Sequence, residues 1–290
     1  MQTKFFDRQT KKYYVEKQAG GKSLKFLYKT PVGRTVLKYF VSGKTASKIA
    51  GKFIDMPISR YKIKPFIKKN NIDMSEYIQC RYRSFSDFFI RQINDFSRPI
   101  DNNDDSLIAV ADSKLLYYPI DENAAITIKN AVYTIDELAG RSLTDDYKGG
   151  SCLVFRLSVD NYHHYCYFDN GKAVSSNYIE GRLHTVSPIS FKKYKVFSEN
   201  CREVSCLNTE NFGEAVQIEV GALLVGKINN IPKKSFKRGE EKGWFEMGGS
   251  TCVVLLKKNV AIIDDDIIKN SMSGIETRVR IGEKIGQRKK

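Results

Sequence analysis

Between residues 107 and 258 the sequence alternates short apolar runs with polar turns. The runs are LIAVA at 107–111, KLLYYPI at 114–120, AITIKN at 125–130, SCLVFRLS at 151–158, YCYF at 165–168, EAVQIEVGALLVGKI at 214–228 and TCVVLLKK at 251–258. Because Gly, Asn and Asp punctuate runs of strand length, we predict strands joined by turns. This spacing is typical of an antiparallel barrel or sandwich rather than of alternating strands and helices.

The first hundred residues carry a different pattern. Segments 30–56 and 59–83 mix lysines with apolar residues at three- and four-residue spacing, which predicts basic amphipathic helices. The apolar side of the first segment would consist of Val36, Leu37, Phe40, Ile49 and Phe53, with Lys38, Lys44, Lys48 and Lys52 on its polar side. Such helices would either dock on a membrane or pack as a layer on the core.

A boundary is expected near residue 100. The segment SFSDFFIRQI at 84–93 predicts a helix capped by Ser84 or Ser86, and the polar turn DNNDDS follows at 101–106. One further helix is predicted at 134–140, capped by Thr134 and ended by Gly140. The predicted fold is therefore α+β, with a basic helical region at 1–100 and a mainly antiparallel β barrel or sandwich core at 101–290.

The charge of the chain restricts its partners. Its 48 Lys and Arg residues against 33 Asp and Glu residues give a net charge of +15. Such a field attracts nucleic acid or an anionic lipid surface, although lysine-rich surfaces also occur in soluble proteins without a polyanionic partner.

The sequence also predicts where the protein works. No stretch approaches the roughly 18 apolar residues of a membrane-spanning helix, and the N-terminus lacks the apolar run of a secretory signal. We therefore expect a cytoplasmic protein. Its six cysteines show no paired CxxC motifs, so we expect reduced, mostly buried thiols and no metal site.

A serine follows two glycines directly before an apolar strand, in the segment FEMGGSTCVVLLK at 245–257. Glycine at 248 and 249 permits unusual backbone dihedrals and close approach, so the Ser250 hydroxyl could reach the carbonyl carbon of Gly249. By itself the motif is more often a turn than a reactive site.

Imidazole chemistry is limited to three histidines, namely His163, His164 and His184. Since neighbouring residues of a strand face opposite sides, at most one of the adjacent pair would point at a shared site. Asp112 lies among apolar residues near a predicted strand end, where a carboxylate could orient an imidazole or simply satisfy the amides of a turn.

Six blocks resemble phosphatidylserine decarboxylases in their order along the chain. They are SFSDFFIR through RPI at 84–100, VADS at 110–113, RLS through NYH at 156–163, GRLHTV at 181–186, EVGA at 219–222 and GGST at 248–251. The resemblance spans most of residues 84–256 and is specific because the blocks occur together. It implies a pyruvoyl-dependent decarboxylase of the prokaryotic type, made as a proenzyme.

In that family the serine of the Gly-Ser-Thr motif attacks the preceding carbonyl, and the resulting ester eliminates. Here this would separate a beta chain, 1–249, from an alpha chain, 250–290, and turn Ser250 into a pyruvoyl group. That group would form a Schiff base with phosphatidylserine and release CO2 and phosphatidylethanolamine. Asp112 matches the aspartate that acts with a histidine and the serine like a protease triad, and His163 is the candidate proton donor.

Two positions depart from the family pattern. Ser113 replaces the glycine that usually follows the aspartate, and Cys166 replaces a second histidine assigned to self-cleavage. The base for self-cleavage is therefore open between His163 serving both steps, Cys166, and His184 as a replacement from the neighbouring block.

The resemblance implies a membrane-docking function for the basic N-terminal region. An enzyme acting on an anionic lipid must dock on the bilayer, so the expected location is peripheral, on the cytoplasmic side of the cell membrane. The expected partners are phosphatidylserine, the anionic surface, the protein's own two chains and a possible second copy, with no nucleic acid and no metal.

Two other functions stay open at this point. A nucleic-acid-binding module could use the positive charge with stacking by Phe5, Phe6, Tyr13 and Tyr14, although no recognisable motif supports it. An uncleaved relative that only binds lipid is the other, given Ser113 and Cys166.

Overall fold

The computed structural model describes residues 3–16, 26–36, 51–128, 131–185, 194–222, 227–246 and 250–290. The strands are β1 Thr3–Asp7, β2 Lys12–Glu16, β3 Ser106–Ile108, β4 Ser113–Pro119, β5 Ala125–Ile128, β6 Ala131–Thr134, β7 Ser151–Leu157, β8 His164–Cys166, β9 Gly171–Ile179, β10 Arg202–Thr209, β11 Gly213–Val220, β12 Ile228–Asn230, β13 Ser235–Phe236, β14 Glu241–Phe245, β15 Ser250–Leu256, β16 Ala261–Ile263, β17 Glu276–Val279 and β18 Lys284–Arg288.

The α-helices are short. They are α1 Pro31–Val36, α2 Ile63–Asn70, α3 Phe85–Phe89, α4 Ile135–Ala139, α5 Thr144–Tyr147, α6 Val196–Glu199 and α7 Asp265–Met272, with 3-10 helices at Pro57–Lys62 and Met74–Glu76. Residues 26–29 and 51–55 are also helical. Within the described ranges, no helix combines the length and apolarity required to span a bilayer.

A large sheet organises the core. Its ten strands run in the order β13-β9-β10-β11-β15-β7-β4-β17-β1-β2, beside the smaller sheets β12-β14-β8, β16-β18-β3 and β5-β6. β1 and β17 pair in parallel, and the other neighbours in the large sheet are antiparallel. The predicted α+β class with a mainly antiparallel core is confirmed, and the described sheets are open, so the core is a sandwich rather than a barrel.

The sheet β12-β14-β8, called the small sheet below, covers one face of the large sheet. Gln217 of β11 donates from Nε2 to the Cys166 carbonyl at 3.2 Å, and Lys242 of β14 donates to Glu219 of β11 at 2.6 Å. Glu219 pairs with Cys252 in the register of β11 and β15. Because side chains alternate along a strand, Ser250 points to this same covered face.

The N-terminus is not helical from its start, contrary to the prediction for residues 1–100. β1 and β2 form a hairpin that continues the large sheet beyond β17. Its turn is held by Asp7, whose carboxylate accepts hydrogen bonds from the backbone N–H of Gln9 and Thr10. The Lys-Tyr-Tyr-Val run of β2 favours a strand because aromatic and β-branched residues pack well on a pleated surface.

The predicted helix caps are confirmed at two places. Ser84 accepts a hydrogen bond from the Asp87 N–H at the start of α3. At α4, Thr134 and Glu137 form a reciprocal capping box, and Gly140 ends the helix in the left-handed region at φ +66°. We did not predict α5, α6 or α7; α7 begins within the acidic run 264–266, which favours a helix N-terminus.

Most of the predicted amphipathic face lies outside the described residues. Of the nine side chains named for it, the structure describes those of Phe53 and Lys52, both exposed. Phe53 is 49% exposed, and the Lys62 ammonium lies 4.6 Å from the centre of its ring. This contact joins an apolar and a basic side chain at the surface.

An ionic network joins the N-terminal hairpin to the core. Arg156 of β7 binds Glu276 of β17 at 2.5 Å and Glu16 of β2 at 2.7 Å, while Lys114 of β4 binds Glu16 at 2.6 Å. Ser158 also donates to Glu16 at 2.8 Å. Burial by itself raises the pKa of Glu16, but the two cations outweigh it and lower that pKa to about 2.

Glu16 should therefore make folding stability depend on pH. A carboxylate whose pKa falls on folding stabilises the native state above its unfolded value, 4.5, and loses that contribution as the pH falls through about 2. The shift corresponds to about 3 kcal/mol near neutral pH, of which about half should remain near pH 3. Urea unfolding of wild type and Glu16→Gln at both pH values measures this, with the exposed Glu122→Gln as control. A stability difference that does not shrink in acid would contradict it.

Candidate active site

Ser250 is the first described residue of β15, and it directly follows residues 247–249. Gly248 and Gly249, predicted to permit the attack, lie outside the described residues. Ser250 pairs with Leu157 of β7 and is fully buried, and its hydroxyl has no hydrogen-bond partner in the described part of the chain. Ser250 is thus held by a central strand, and its hydroxyl oxygen is uncommitted among the described residues.

Asp112 lies at the same end of the large sheet. It precedes β4, which is separated from β15 by β7 alone, so two strand spacings, about 10 Å, divide the two backbones. Its carboxylate accepts three hydrogen bonds from the Arg98 guanidinium at 2.7, 3.0 and 3.1 Å and one from the Ile281 N–H at 2.9 Å. Arg98, which the sequence did not mark as functional, compensates the charge of Asp112.

His163 is completely buried beside the strand that leads toward Ser250. Its Nδ1 lies 2.9 Å from the Asn161 carbonyl, and its ring centre lies 4.1 Å from that of Phe89 in α3. Its own carbonyl accepts from the Phe245 N–H at 3.0 Å, near the end of β14. Since a carbonyl only accepts, Nδ1 carries the hydrogen of the neutral ring, and Nε2 is the nitrogen with the lone pair.

His164 faces a different set of groups. Its Nδ1 lies 2.8 Å from a Glu241 carboxylate oxygen and its Nε2 lies 3.0 Å from the Ile90 carbonyl, and its ring stacks between Tyr162 and Trp244. Both partners are hydrogen-bond acceptors, one on β14 and one directly after α3. His164 therefore ties the end of α3 to the small sheet, and the two adjacent histidines contact different neighbours, as predicted.

Cys166 is the second candidate for the self-cleavage base. It is buried, and its sulfur lies 3.9 Å from the Ala109 carbonyl oxygen. Burial raises the pKa of the Cys166 thiol far above its usual range, and the nearby charge of Asp112 raises it further. A thiol that stays protonated is a poor acceptor of the serine proton.

His184 lies near the Ser250 end of the large sheet through its backbone. The Asn200 side chain donates to the carbonyls of His184 and Gly221 at 2.8 and 2.7 Å, and Gly221 follows Val220, the partner of Thr251. The His184 ring stacks on Tyr194 at 4.0 Å. Burial and the nearby Arg182 lower the pKa of His184 to about 4, so its ring is neutral near pH 7.

One buried charged pair was missed by the sequence reasoning. Glu219 and Lys242 bind each other across the two sheets, with side chains 0% and 2% exposed. The available signal was a glutamate within the apolar run VQIEVGALL at 216–224, since charged residues are almost never fully buried unless paired.

Buried polar oxygens collect on the covered face of the large sheet that carries Ser250. Four buried oxygens on it lack hydrogen-bond partners among the described residues, and they belong to Ser113, Gln217, Glu219 and Ser250. Burying such atoms costs free energy unless a ligand or an ordered water forms hydrogen bonds with them. No group of three or more His, Cys, Asp or Glu residues in the described ranges is arranged to hold a metal ion.

Comparison with known proteins identifies the family of the chain. Residues 85–287 match the sequence model of the phosphatidylserine decarboxylase family. Phosphatidylserine decarboxylase proenzyme 2 of Clostridium acetobutylicum is 51% identical over 288 residues, 99% of each chain. The phosphatidylserine decarboxylase proenzymes of Desulfitobacterium hafniense strain Y51 and Clostridium perfringens strain SM101 are 40% and 38% identical, over 99% and 98% of this chain and 99% of each relative. The chain therefore belongs to the phosphatidylserine decarboxylase family.

Proposed function

We propose that this protein decarboxylates phosphatidylserine to phosphatidylethanolamine after cutting itself between Gly249 and Ser250. The observation that carries the proposal is a buried, uncommitted Ser250 hydroxyl on a central strand, at the matching position of a family whose relatives are named proenzymes. The hydroxyl oxygen would add to the Gly249 carbonyl carbon while the Gly249–Ser250 C–N bond breaks, which gives an ester. Elimination of that ester would leave the Gly249 carboxylate and a dehydroalanine at residue 250, whose imine form would take up one water and release ammonia to give a pyruvoyl group.

His163 is the best candidate for the base in self-cleavage. Its Nε2 carries the lone pair because Nδ1 is committed to Asn161, whereas the raised pKa disfavours the Cys166 thiol. The order of contacts between the sheets supports this choice. Cys166 lies opposite Gln217. Counting back from Cys166 toward the start of β8 corresponds to counting forward from Gln217 along β11. His163 is therefore placed opposite Gly221, next to Ser250.

Asp112 and Arg98 would form a rigid ion pair at the same end of the site. Their three hydrogen bonds hold the carboxylate rigidly and balance its charge, so we assign Asp112 to keeping this end of the site in a fixed geometry. The neutral ring of His184 packs against Tyr194. We therefore assign His184 a structural role at the Ser250 end of the large sheet.

A pyruvoyl group, when present, supplies an electron sink for the carbon that loses CO2. The chain's own contribution is to exclude water and to move protons. Ser250, His163 and Glu219 are all fully buried, and the His163 Nε2 is the atom that would return a proton to the substrate carbon.

The two chains made by the cut should stay together. Residues 250–290 contain β15, which lies between β11 and β7, and β17, which lies between β4 and β1. The buried Arg156–Glu276 pair also joins the two chains. The cut would therefore leave a complex held by strand pairing on both sides of β15.

Intact mass spectrometry of the purified protein, together with phosphatidylethanolamine formation from phosphatidylserine vesicles, tests the proposal. We expect two chains ending at Gly249 and beginning with a pyruvoyl group at position 250, and product formation that needs no added cofactor. A chain that stays whole and yields no product would leave lipid binding without catalysis as its function.

We also propose that the protein docks peripherally on the cytoplasmic side of the cell membrane. Around the 3-10 helix Pro57–Lys62, the side chains of Ile58 and Tyr61 are 63% and 71% exposed. Residues three apart in a 3-10 helix lie on one side, so both project together. Ser59, in contrast, is buried and donates to the Ile54 carbonyl at 2.6 Å, which anchors the opposite side to the protein.

Replacement of both Ile58 and Tyr61 by serine should weaken binding to phosphatidylserine-containing vesicles at least tenfold. Each large apolar side chain contributes on the order of 1.5–3 kcal/mol when fully buried, and partial insertion gives a fraction of this. Vesicle cosedimentation measures the change, and Val174→Ser combined with Ile262→Ser removes exposed apolar residues elsewhere as a control. Equal losses in both double variants would argue against a docking role for this helix.

A further inference from the structure

The Glu219–Lys242 pair has one unused oxygen. Lys242 Nζ and Asn230 Nδ2 both donate to Glu219 Oε2, at 2.6 and 3.1 Å. Asn230 is in turn held through its Oδ1, which accepts from Lys242 at 3.2 Å and from the Tyr165 hydroxyl at 2.9 Å. Glu219 Oε1 is buried and has no hydrogen-bond partner within the described ranges.

A buried carboxylate oxygen without a donor is costly to keep. Burial raises the pKa of Glu219, and Lys242 only partly opposes that rise. An ion pair serving stability alone would be expected to satisfy both oxygens, because desolvation of the charges must be offset by good hydrogen bonding. The unused oxygen therefore marks a place where a donor from outside the chain would fit.

This oxygen belongs to the same interior as Ser250. Glu219 pairs with Cys252, so Ser250 is its diagonal neighbour on the same face of the sheet, with Cβ atoms about 7–8 Å apart. A cleft of about 580 Å³ opens from outside onto Lys242, and Glu203 and Asn230 are also among the residues that line it. A small charged group that enters this cleft meets Asn230 and Lys242, the two donors to Glu219 Oε2.

We propose that Glu219 receives the substrate's primary ammonium group and takes its proton, with Lys242 as the positioning partner. The inference rests on the proposed function, in which the lipid amine must lose a proton before it can act as a nucleophile. The proton leaves the ammonium nitrogen and protonates the Glu219 carboxylate, and the freed nitrogen lone pair is directed toward residue 250. No other reactant is consumed.

Both members of the pair contribute to this transfer. An ammonium ion placed beside the Lys242 cation in a buried site is destabilised by repulsion and desolvation, which favours the neutral amine. The raised pKa of Glu219 makes its carboxylate a stronger base, which reduces the difference between its pKa and that of the amine. Lys242 also fixes Oε2, so that Oε1 is the oxygen left to accept.

Three of the other groups facing Glu219 do not compete for the proton near neutral pH. The titratable groups around it are Lys242 of β14, Glu203 of β10, Cys252 of β15, Tyr165 of β8 and Tyr167, which follows β8. Burial raises the pKa of Tyr165 and Cys252 well above their usual ranges and that of Tyr167 to about 12. These three stay protonated, and Glu203 lines the cleft.

The test follows capture of an amine by the mature protein. Cleaved wild type and Glu219→Gln are incubated with phosphoethanolamine and sodium cyanoborohydride, and intact mass spectrometry measures the adduct on chain 250–290 as a function of pH. Near pH 7 the variant should react about 100-fold more slowly. Its deficit should shrink as the pH approaches the amine's own pKa, roughly 10 for an alkylamine, since the amine then arrives without its extra proton.

A matched pair on the surface provides the control. Glu214 lies on the same strand and binds Lys257, also at 2.6 Å, but its side chain is 65% exposed. Glu214→Gln should react like wild type at every pH. If Glu219→Gln does not fold or cleave, Glu219→Gln combined with Lys242→Met removes both buried charges and should show the same recovery at high pH, and Glu219→Asp should partly restore the rate at pH 7.

The outcomes separate this inference from the function on which it rests. A cleaved Glu219→Gln protein with the wild-type pH profile, or with a deficit that persists near pH 10, overturns the role of Glu219 while leaving the decarboxylase in place. A wild-type protein that is never cleaved overturns the proposed function, and the inference with it.

Discussion

Ser250→Ala should remain a single chain of 290 residues and form no phosphatidylethanolamine. Alanine has no hydroxyl to attack the Gly249 carbonyl, so neither the cut nor the pyruvoyl group can form. The fold should be unaffected or slightly stabilised, because the Ser250 hydroxyl is buried without a hydrogen-bond partner among the described residues and its removal leaves no polar atom unsatisfied. Denaturing gel electrophoresis, intact mass and thermal unfolding measure these three properties.

Ser273→Ala is a suitable control for this variant. Ser273 lies in the same C-terminal segment, is exposed, and donates to the Lys269 carbonyl, so its loss should change neither cleavage nor product formation. Cleavage at position 249 in Ser250→Ala would show that another group cuts the chain.

His163→Gln should slow self-cleavage by about 10²–10⁴-fold, the range of general base catalysis. Glutamine can donate to the Asn161 carbonyl as the imidazole does, but it has no basic nitrogen to take the serine proton. The rate is measured by denaturing gel electrophoresis of newly made protein over time. Because the same imidazole would return a proton to the substrate carbon, the fraction that does mature should also decarboxylate slowly.

His184→Gln and Cys166→Ser distinguish the remaining candidates for the base. Each replaces a buried side chain near the site, so each should lower the thermal midpoint by a few degrees. Neither should slow self-cleavage more than tenfold if His163 is the base. Loss of cleavage in His184→Gln with His163→Gln still active would reverse the assignment.

Local sequence pattern was sufficient for the β-rich core and for several element ends. The caps at Ser84 and Thr134 and the stop at Gly140 follow from side-chain hydrogen bonds and dihedrals that involve neighbouring residues only. The N-terminal hairpin was missed because β1 is stabilised by parallel pairing with β17, about 270 residues away in the chain. Pairing between residues so far apart in the chain produces no local sequence periodicity from which β1 could be predicted.

The sequence by itself determined the family, the α+β class and the identity of Ser250, Asp112 and His163 as candidates, because ordered motifs and strand-length apolar runs are local properties. Only the tertiary structure decided which groups those residues face. It pairs Asp112 with Arg98 and directs His163 Nδ1 to Asn161. It also buries Glu219 against Lys242. Protonation and hydrogen-bond commitment depend on burial and on partners from distant strands, and these are created only when the two sheets pack together.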